Sequence, residues 1–530
     1  MRNDRDESPP RRSPSEGLLL ALLAALFLFL RLRWVGHLLV WDEAMNLCAV
    51  RSFRAGAVDT FANWFWRHPP CFCLLMLLLE PLRRGFAERV ELLTVFIGLL
   101  NLGVLYALNR RIFNRGVALW TAFFLAVLPG SIFFDVWIKR DPPAVTFGLL
   151  ALLLVRSRRT LYAGLCLAVA LLFKETAVFY VVASLAMVGV TFRGRAARQH
   201  ALALLGTAVA GSSWWYLVLK NVAADTTHSA GTQWWDVVLR GVADHIQFAR
   251  VTWSGWVHPW HYYVGMFPLQ LGPAGLALAL AGLAVLLAAV CRHAPRPGLC
   301  AFAVDRPFQA LWPVFLLVPS YLLLSSLRSK VPWVVMGLFP AWATLQAVAA
   351  AAALSACRRV PGTSRRLCLG LLPALLVVLF LCRVHGRDYE TVLRAVDKGQ
   401  WRGAASSREA ARETLRRMNG GDRALVTSFH YWRGLPPGHP CPVFASYFGA
   451  GHEVLLRPHT RPFQALVRDI RTHRLDWALV SPEPGPAADA VVTGFSRTFG
   501  IRPVVLRGAL LFHTAPLYGN AGKSNEPVTR

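Results

Sequence analysis

The chain has 530 residues, 55% of them hydrophobic, and 57 Lys and Arg against 29 Asp and Glu give a net charge of +28. The apolar residues come in runs of roughly 14 to 25, near the ~20 that cross a bilayer as helix, which excludes an ordinary soluble enzyme. The positive charge does not point to nucleic acid: the arginines stand in short clusters between apolar runs, as cytoplasmic loops do, and such surfaces suit anionic headgroups and phosphate-bearing lipids.

Residues 1–16 are polar, charged and Pro-rich, and are expected to form a disordered cytoplasmic tail. The run Gly17–Leu30 follows that basic tail as a signal peptide would, but Arg31-Leu32-Arg33-Trp34 stands where a small-residue cleavage site would be, so the run reads as a retained anchor. The spanning candidates are 17–36, 91–109, 116–134, 142–155, 160–173, 175–192, 200–220, 264–290, 308–326, 331–355 and 366–383, about eleven in all. Cys71–Leu82 is too short to cross. If it stays on one side, sixteen arginines fall in five short inner loops downstream of it and seven cations in the longer outer loops between them, the bias expected of a cytoplasmic face. Arg83, Arg84 and Arg89 then lie outside, against that bias unless they serve a lipid phosphate. This run therefore reads as a re-entrant or surface helix on the outer side. The N-terminus is then inside, and loops 37–90, 135–141 and 221–263 lie outside together with residues 384–530.

Beyond residue 384 the long apolar runs stop. Strand-like runs at Ala424–Ser428, Trp477–Ser481 and Pro503–His513, with helical patterns at 404–418 and 461–474, predict a small α/β domain on the outer face. The expected architecture is mainly α: a polytopic transmembrane domain over 17–383, followed by an extracytoplasmic α/β domain over 384–530. The ten cysteines form no CxxC pair, so neither a disulfide framework nor a zinc signature is read, and no internal repeat of the transporter kind is found.

Chemistry-bearing residues gather on the predicted outer face. Trp41-Asp42-Glu43-Ala44 places two adjacent carboxylates just beyond the first helix; such acids are often solvated surface, but ionised groups beside a bilayer are costly without a role or partner. Arg67-His68-Pro69-Pro70 opens the surface helix, where His68 has a structural reading beside a functional one. Asp141, before Pro142-Pro143, is either a helix start or a functional acid. Lys174 interrupts an apolar stretch, where it is functional or pairs with the adjacent Glu175. Arg328 and Lys330, beside Trp333, read as phosphate contacts or as snorkelling interfacial cations. Together they suit transfer from a phosphate-bearing lipid: a carboxylate deprotonates or orients an acceptor hydroxyl, and cations stabilise the departing phosphate.

This arrangement resembles the GT-C fold glycosyltransferases, particularly the protein O-mannosyltransferase and lipid A aminoarabinose transferase superfamily (glycosyltransferase family 39-like). The resemblance runs through roughly residues 17–355 and rests on the order and spacing of Trp41-Asp42-Glu43-Ala44, His68-Pro69-Pro70, Leu128-Pro129-Gly130-Ser131 leading to Asp141-Pro142, and Gly164 to Leu172-Phe173-Lys174. It implies an inverting transferase that uses a polyprenyl-phosphate sugar, with Asp42 as base, Glu43 supporting it, Asp141 as second acid of the cleft, and Lys174 on the donor phosphate. It implies membrane lipids as surroundings, a protein, lipid or glycan acceptor, and the outer face of a plasma membrane; the preference for Arg over Lys suggests a bacterial one. Lys330-Val331-Pro332-Trp333 is similar instead to a branch associated with archaeal and bacterial surface glycosylation. Some relatives bind a divalent metal, and His68, His258 and His261 are the outer-side candidates, with no cofactor otherwise implied. The competing classes are a non-enzymatic polyprenyl-linked sugar transporter or flippase-associated accessory protein, and a sensor whose outer domain binds a ligand.

Overall fold

The computed structural model describes residues 14–36, 41–54, 69–82, 86–219, 259–291, 307–326, 332–358, 371, 373–378, 414, 416–418, 424–428, 454–458, 463–480, 493, 504–506 and 509–514. In chain order the helices are α1 (Pro14–Leu32), α2 (Trp41–Arg54), α3 (Cys71–Leu77), α4 (Phe86–Ile112), α5 (Arg115–Val127), α6 (Pro129–Phe134), α7 (Asp141–Arg156), α8 (Thr160–Phe173), α9 (Val178–Thr191) and α10 (Gly194–Ser213). They continue as α11 (Tyr262–Gln270), α12 (Pro273–Cys291), α13 (Trp312–Ser326), α14 (Phe339–Cys357) and α15 (Phe463–His473). The strands are β1 (Ala424–Ser428), β2 (Val454–Pro458), β3 (Trp477–Val480), β4 (Val504–Leu506) and β5 (Ala509–His513). The chain divides into two compact units, one of residues 1–35 and 66–392, the other of residues 36–65 and 393–530.

The first unit is a helical bundle. Among the described residues, five helical stretches are long and apolar enough to cross a membrane: Pro14–Leu32, Phe86–Ile112, Pro273–Cys291, Phe308–Ser326 and Val335–Cys357. Arg115–Val127, Thr160–Phe173 and Glu175–Thr191 are apolar but shorter, because fourteen helical residues rise only ~21 Å against a hydrocarbon core of ~30 Å. Cys71–Leu77 has seven residues, too few to span. The first helix starts at Pro14, inside the stretch read as tail, and carries Glu16 buried beneath Tyr106, which donates to it.

Continuous hydropathy hides breaks that backbone chemistry imposes. The stretch read as one helix over 116–134 starts where Asn114 accepts from the Val117 amide at 3.0 Å, then stops at Leu128, whose φ of −65° and ψ of 119° are extended. A new helix begins at Pro129, where a residue without an N–H is tolerated. The stretch 264–290 likewise divides at Gly272, which takes φ +76° before Pro273. Of 366–383, only 371 and 373–378 are described.

Small and polar residues lock the bundle. A Cβ on Gly282 of α12 would stand 1.8 Å from the Leu345 carbonyl oxygen of α14, so the two backbones touch. Asn109 of α4 donates to Thr344 Oγ1 at 3.0 Å and accepts from the Trp312 indole at 3.3 Å, tying α4, α13 and α14 in a buried network.

The second unit contains α2 and a five-stranded sheet in the order β2-β1-β3-β5-β4. β1 runs parallel to β2 and β3, while β5 is antiparallel to β3 and β4. Helix α15 lies in sequence between β2 and β3, and buries Leu466, Val467 and Ile470 along one stripe. In α2, Glu43, Asn46 and the run Leu47–Val50 are buried.

Candidate functional site

The site in the first unit is built on two helix ends of opposite polarity. Asp141 is the first residue of α7, followed by Pro142 and Pro143, which have no N–H to offer there. Lys174 closes α8 in an extended conformation, its amide bonded to the Ala170 carbonyl at 2.9 Å, before the Glu175–Ala177 turn. An acid thus sits at a positive helix end and a base at a negative one. They pair directly: Lys174 Nζ donates to Asp141 Oδ2 at 2.5 Å, with side-chain exposures of 17% and 3%. Asp141 starts its helix, and Lys174, at the end of the neighbouring helix α8, pairs with it rather than with the adjacent Glu175.

Asp141 lies between two small cavities. One is lined by Val145, Tyr180 and Gly337 among others, the other by Asn101, Ser131, Asp135 and Phe339. Asn101 Nδ2 donates to the Pro142 carbonyl at 3.0 Å and its Oδ1 accepts from Thr146 at 2.6 Å, which fixes the start of α7 against α4. Lys139 and Arg140 are buried in the approach to Asp141; Lys139 Nζ is 5.6 Å from the Trp137 ring centre, and Arg140 Nη2 is 4.0 Å from Cys73 Sγ of the short helix α3. Burial pushes the Cys73 thiol up to about 12, so it stays neutral beside that guanidinium.

A second ionic cluster stands at the break between α5 and α6. Arg31 of α1 is fully buried and donates from Nε to Asp135 Oδ2 at 2.9 Å, and from Nη2 to Ser131 Oγ at 2.9 Å. Ser131 in turn donates to Asp135 Oδ2 at 2.7 Å.

Residues 67–216 match the family described as dolichyl-phosphate-mannose-protein mannosyltransferase. The whole chain superposes on ArnT from Cupriavidus metallidurans in the apo state with a TM-score of 0.61 at 14% identity, over 95% of this chain and 99% of that one. Against the same protein bound to undecaprenyl phosphate the TM-score is 0.56 at 16% identity, over 96% and 99%. This chain has the GT-C fold. No curated protein matches it by sequence.

Within the GT-C framework the residues picked from sequence are placed unevenly. Asp141 and Lys174 come together in the first unit. Trp41 and Asp42 open α2 in the second unit, where Glu43 is buried. His68, Arg328, Lys330 and His258 lie outside the described residues. His261 is exposed, against the Trp260 ring. Among the described residues no three His, Cys, Asp or Glu side chains are grouped to hold a metal. Sequence reasoning missed Arg31, Ser131, Asp135 and Asn101. The available signal was Pro129 inside an apolar run, since freed helix carbonyls need a donor.

Proposed function

We propose that this GT-C protein is an inverting glycosyltransferase that moves a sugar from a polyprenyl-phosphate donor to an acceptor hydroxyl on the outer side of a bacterial inner membrane. The observation that carries this reading is the buried Lys174–Asp141 pair, set between opposed helix ends beside two small cavities. In a partly dry site a fixed ammonium stabilises charge that develops on a leaving phosphate far better than it would in water. ArnT, which shares the fold, has been solved with undecaprenyl phosphate.

In this reading Asp42 takes the proton of the acceptor hydroxyl, with Glu43 in support. The acceptor oxygen forms a bond to the anomeric carbon from the face opposite the phosphate. The bond from that carbon to the phosphate oxygen breaks, its electron pair leaves on the phosphate, and Lys174, held by Asp141, stabilises the charge together with Arg328 and Lys330. Trp41 and His68 line the sugar cleft, with His68 also a candidate for a divalent metal. The N-terminus is inside, the three shorter apolar helices also lie within the bilayer and, with the stretches 142–155, 200–220 and 366–383, make about eleven spans, and residues 384–530 form an outer α/β domain. The acceptor is a protein, a lipid or a glycan, and the donor sugar is what the experiment identifies.

The test is turnover of a panel of polyprenyl-phosphate monosaccharides by purified protein in lipid nanodiscs, wild type against Asp42→Asn. Release of polyprenyl phosphate by the wild type alone supports the class and the base. Full activity of Asp42→Asn refutes the assigned mechanism. Binding of the lipids by both proteins without turnover favours a non-enzymatic polyprenyl-lipid transporter or accessory protein.

A further inference from the structure

The proposed chemistry leaves unused a fully buried charge, the most buried among the described residues of the first unit. Arg31 has 0% side-chain exposure, and all five of its N–H donors have acceptors. Nε donates to Asp135 Oδ2 at 2.9 Å. Nη1 donates to the carbonyls of Ala126 and Phe27 at 2.8 and 3.4 Å, and Nη2 to the Leu125 carbonyl and Ser131 Oγ at 3.3 and 2.9 Å. The backbone explains two of these. Pro129 has no N–H to give the Leu125 carbonyl, and the extended Leu128 carries the chain away from Ala126, so the last carbonyls of α5 need an outside donor. Arg31 provides it. Gly98 of α4 leaves the room: a Cβ there would lie 3.0 Å from the Phe27 ring and 3.1 Å from the Asp135 carboxyl carbon.

The other end of the cluster leads to the site. Asp135 begins the link to Asp141, and both acids line the same cavity. That link is held along its length: the Val136 carbonyl accepts from Thr94 at 3.4 Å, the Lys139 amide bonds the Trp137 carbonyl at 2.7 Å, and Trp137 packs edge-on against Phe134 at 4.9 Å. A buried ion pair contributes little net stability over a well-packed apolar pair. A guanidinium with five fixed bonds contributes instead one defined geometry.

We infer that Arg31, Ser131 and Asp135 form a positioning clamp that sets residues 135–141, and through them the Asp141–Lys174 pair, for transfer. This rests on the glycosyltransferase reading above. None of the three needs to touch substrate; they act through Asp141.

The test replaces the ion pair by an apolar one, Arg31→Met with Asp135→Leu, in the full chain in nanodiscs. The thermal midpoint is expected to fall modestly, because the Leu125 and Ala126 carbonyls and the Ser131 hydroxyl lose their partners. It falls by less than in either single variant, because no lone charge is left buried. Amide hydrogen exchange at 136–140 is expected to rise about tenfold or more, and kcat to fall about tenfold or more with donor KM within roughly threefold. Arg31→Lys, which keeps the charge but offers three donors, is expected to reproduce the kcat loss, and it serves as the test if the double variant does not fold. Wild-type exchange and kcat in either folded variant overturn the clamp, as does a kcat loss that merely follows the thermal midpoint. If the wild type itself turns over no donor, the glycosyltransferase reading has failed, and exchange at 136–140 decides the clamp alone: unchanged protection refutes it.

Discussion

Lys174→Met removes one partner of a buried pair and so tests the site at its centre. At 2.5 Å the gross attraction is about 6–7 kcal/mol at an effective dielectric near 20, most of which offsets desolvation. The asymmetry of exposure sets the outcome. Asp141 is 3% exposed and cannot turn to water, so losing its ammonium costs about 3–5 kcal/mol. Lys174 is 17% exposed and can, so Asp141→Asn costs less, about 1–2 kcal/mol. Lys174→Met with Asp141→Leu leaves no charge stranded and recovers most of the stability. The rate behaves differently. Without the ammonium the leaving phosphate loses a preorganised charge, worth about 10²–10³ in kcat, and the double variant does not regain it. Thermal midpoints and initial rates of polyprenyl phosphate release at saturating donor, measured on the same nanodisc preparations, separate the two effects. A Lys174→Met protein with kcat within about twofold of wild type would refute the role given to Lys174.

Two further perturbations test the frame that holds the site. Asn109→Leu strands the Trp312 indole N–H, while the Thr344 hydroxyl keeps its own bond to the Pro340 carbonyl, and is expected to lose about 1–3 kcal/mol by denaturation in detergent; an unchanged midpoint would show that the indole finds another partner. Gly282→Ala drives a methyl into the Leu345 carbonyl, backbone that cannot turn aside, so α12 and α14 must part at about 1–3 kcal/mol. A wild-type midpoint in that variant would mean the crossing is looser than described.

Local signals were readable wherever the partner lay nearby or backbone chemistry spoke alone. Asp141-Pro142-Pro143 announces a helix start, and a helix starts there. A lone Lys in an apolar stretch announces a partner, but the adjacent Glu175 was the only one sequence could offer, whereas the bond goes to Asp141, 33 residues away. Arg31 enters the sequence reading only as part of Arg31-Leu32-Arg33-Trp34, which is no cleavage site; its acid is 104 residues downstream. The break at Pro129 was overlooked because hydropathy runs straight through Leu128–Phe134 and only backbone hydrogen bonding registers the missing N–H. Strands β1 and β3 fall on strand-like runs, the single run Pro503–His513 divides into the antiparallel β4 and β5, and β2, Val454–Pro458, went unread because its two adjacent leucines and an arginine carry no clear period.

The reach of Arg31 also bears on how the protein is made. Its carboxylate partner follows after 104 residues, which a ribosome adding ~5–20 residues per second takes about 5–20 s to deliver. Over that interval the first helix holds a guanidinium without its carboxylate, with only the Phe27 carbonyl among its acceptors supplied by its own helix, and its side chain must stretch toward the headgroups. The anchor that enters the bilayer first is therefore completed late. Its Arg31 contacts are complete only when α5, α6 and Asp135 arrive, so for this helix synthesis precedes the packing that satisfies its charge.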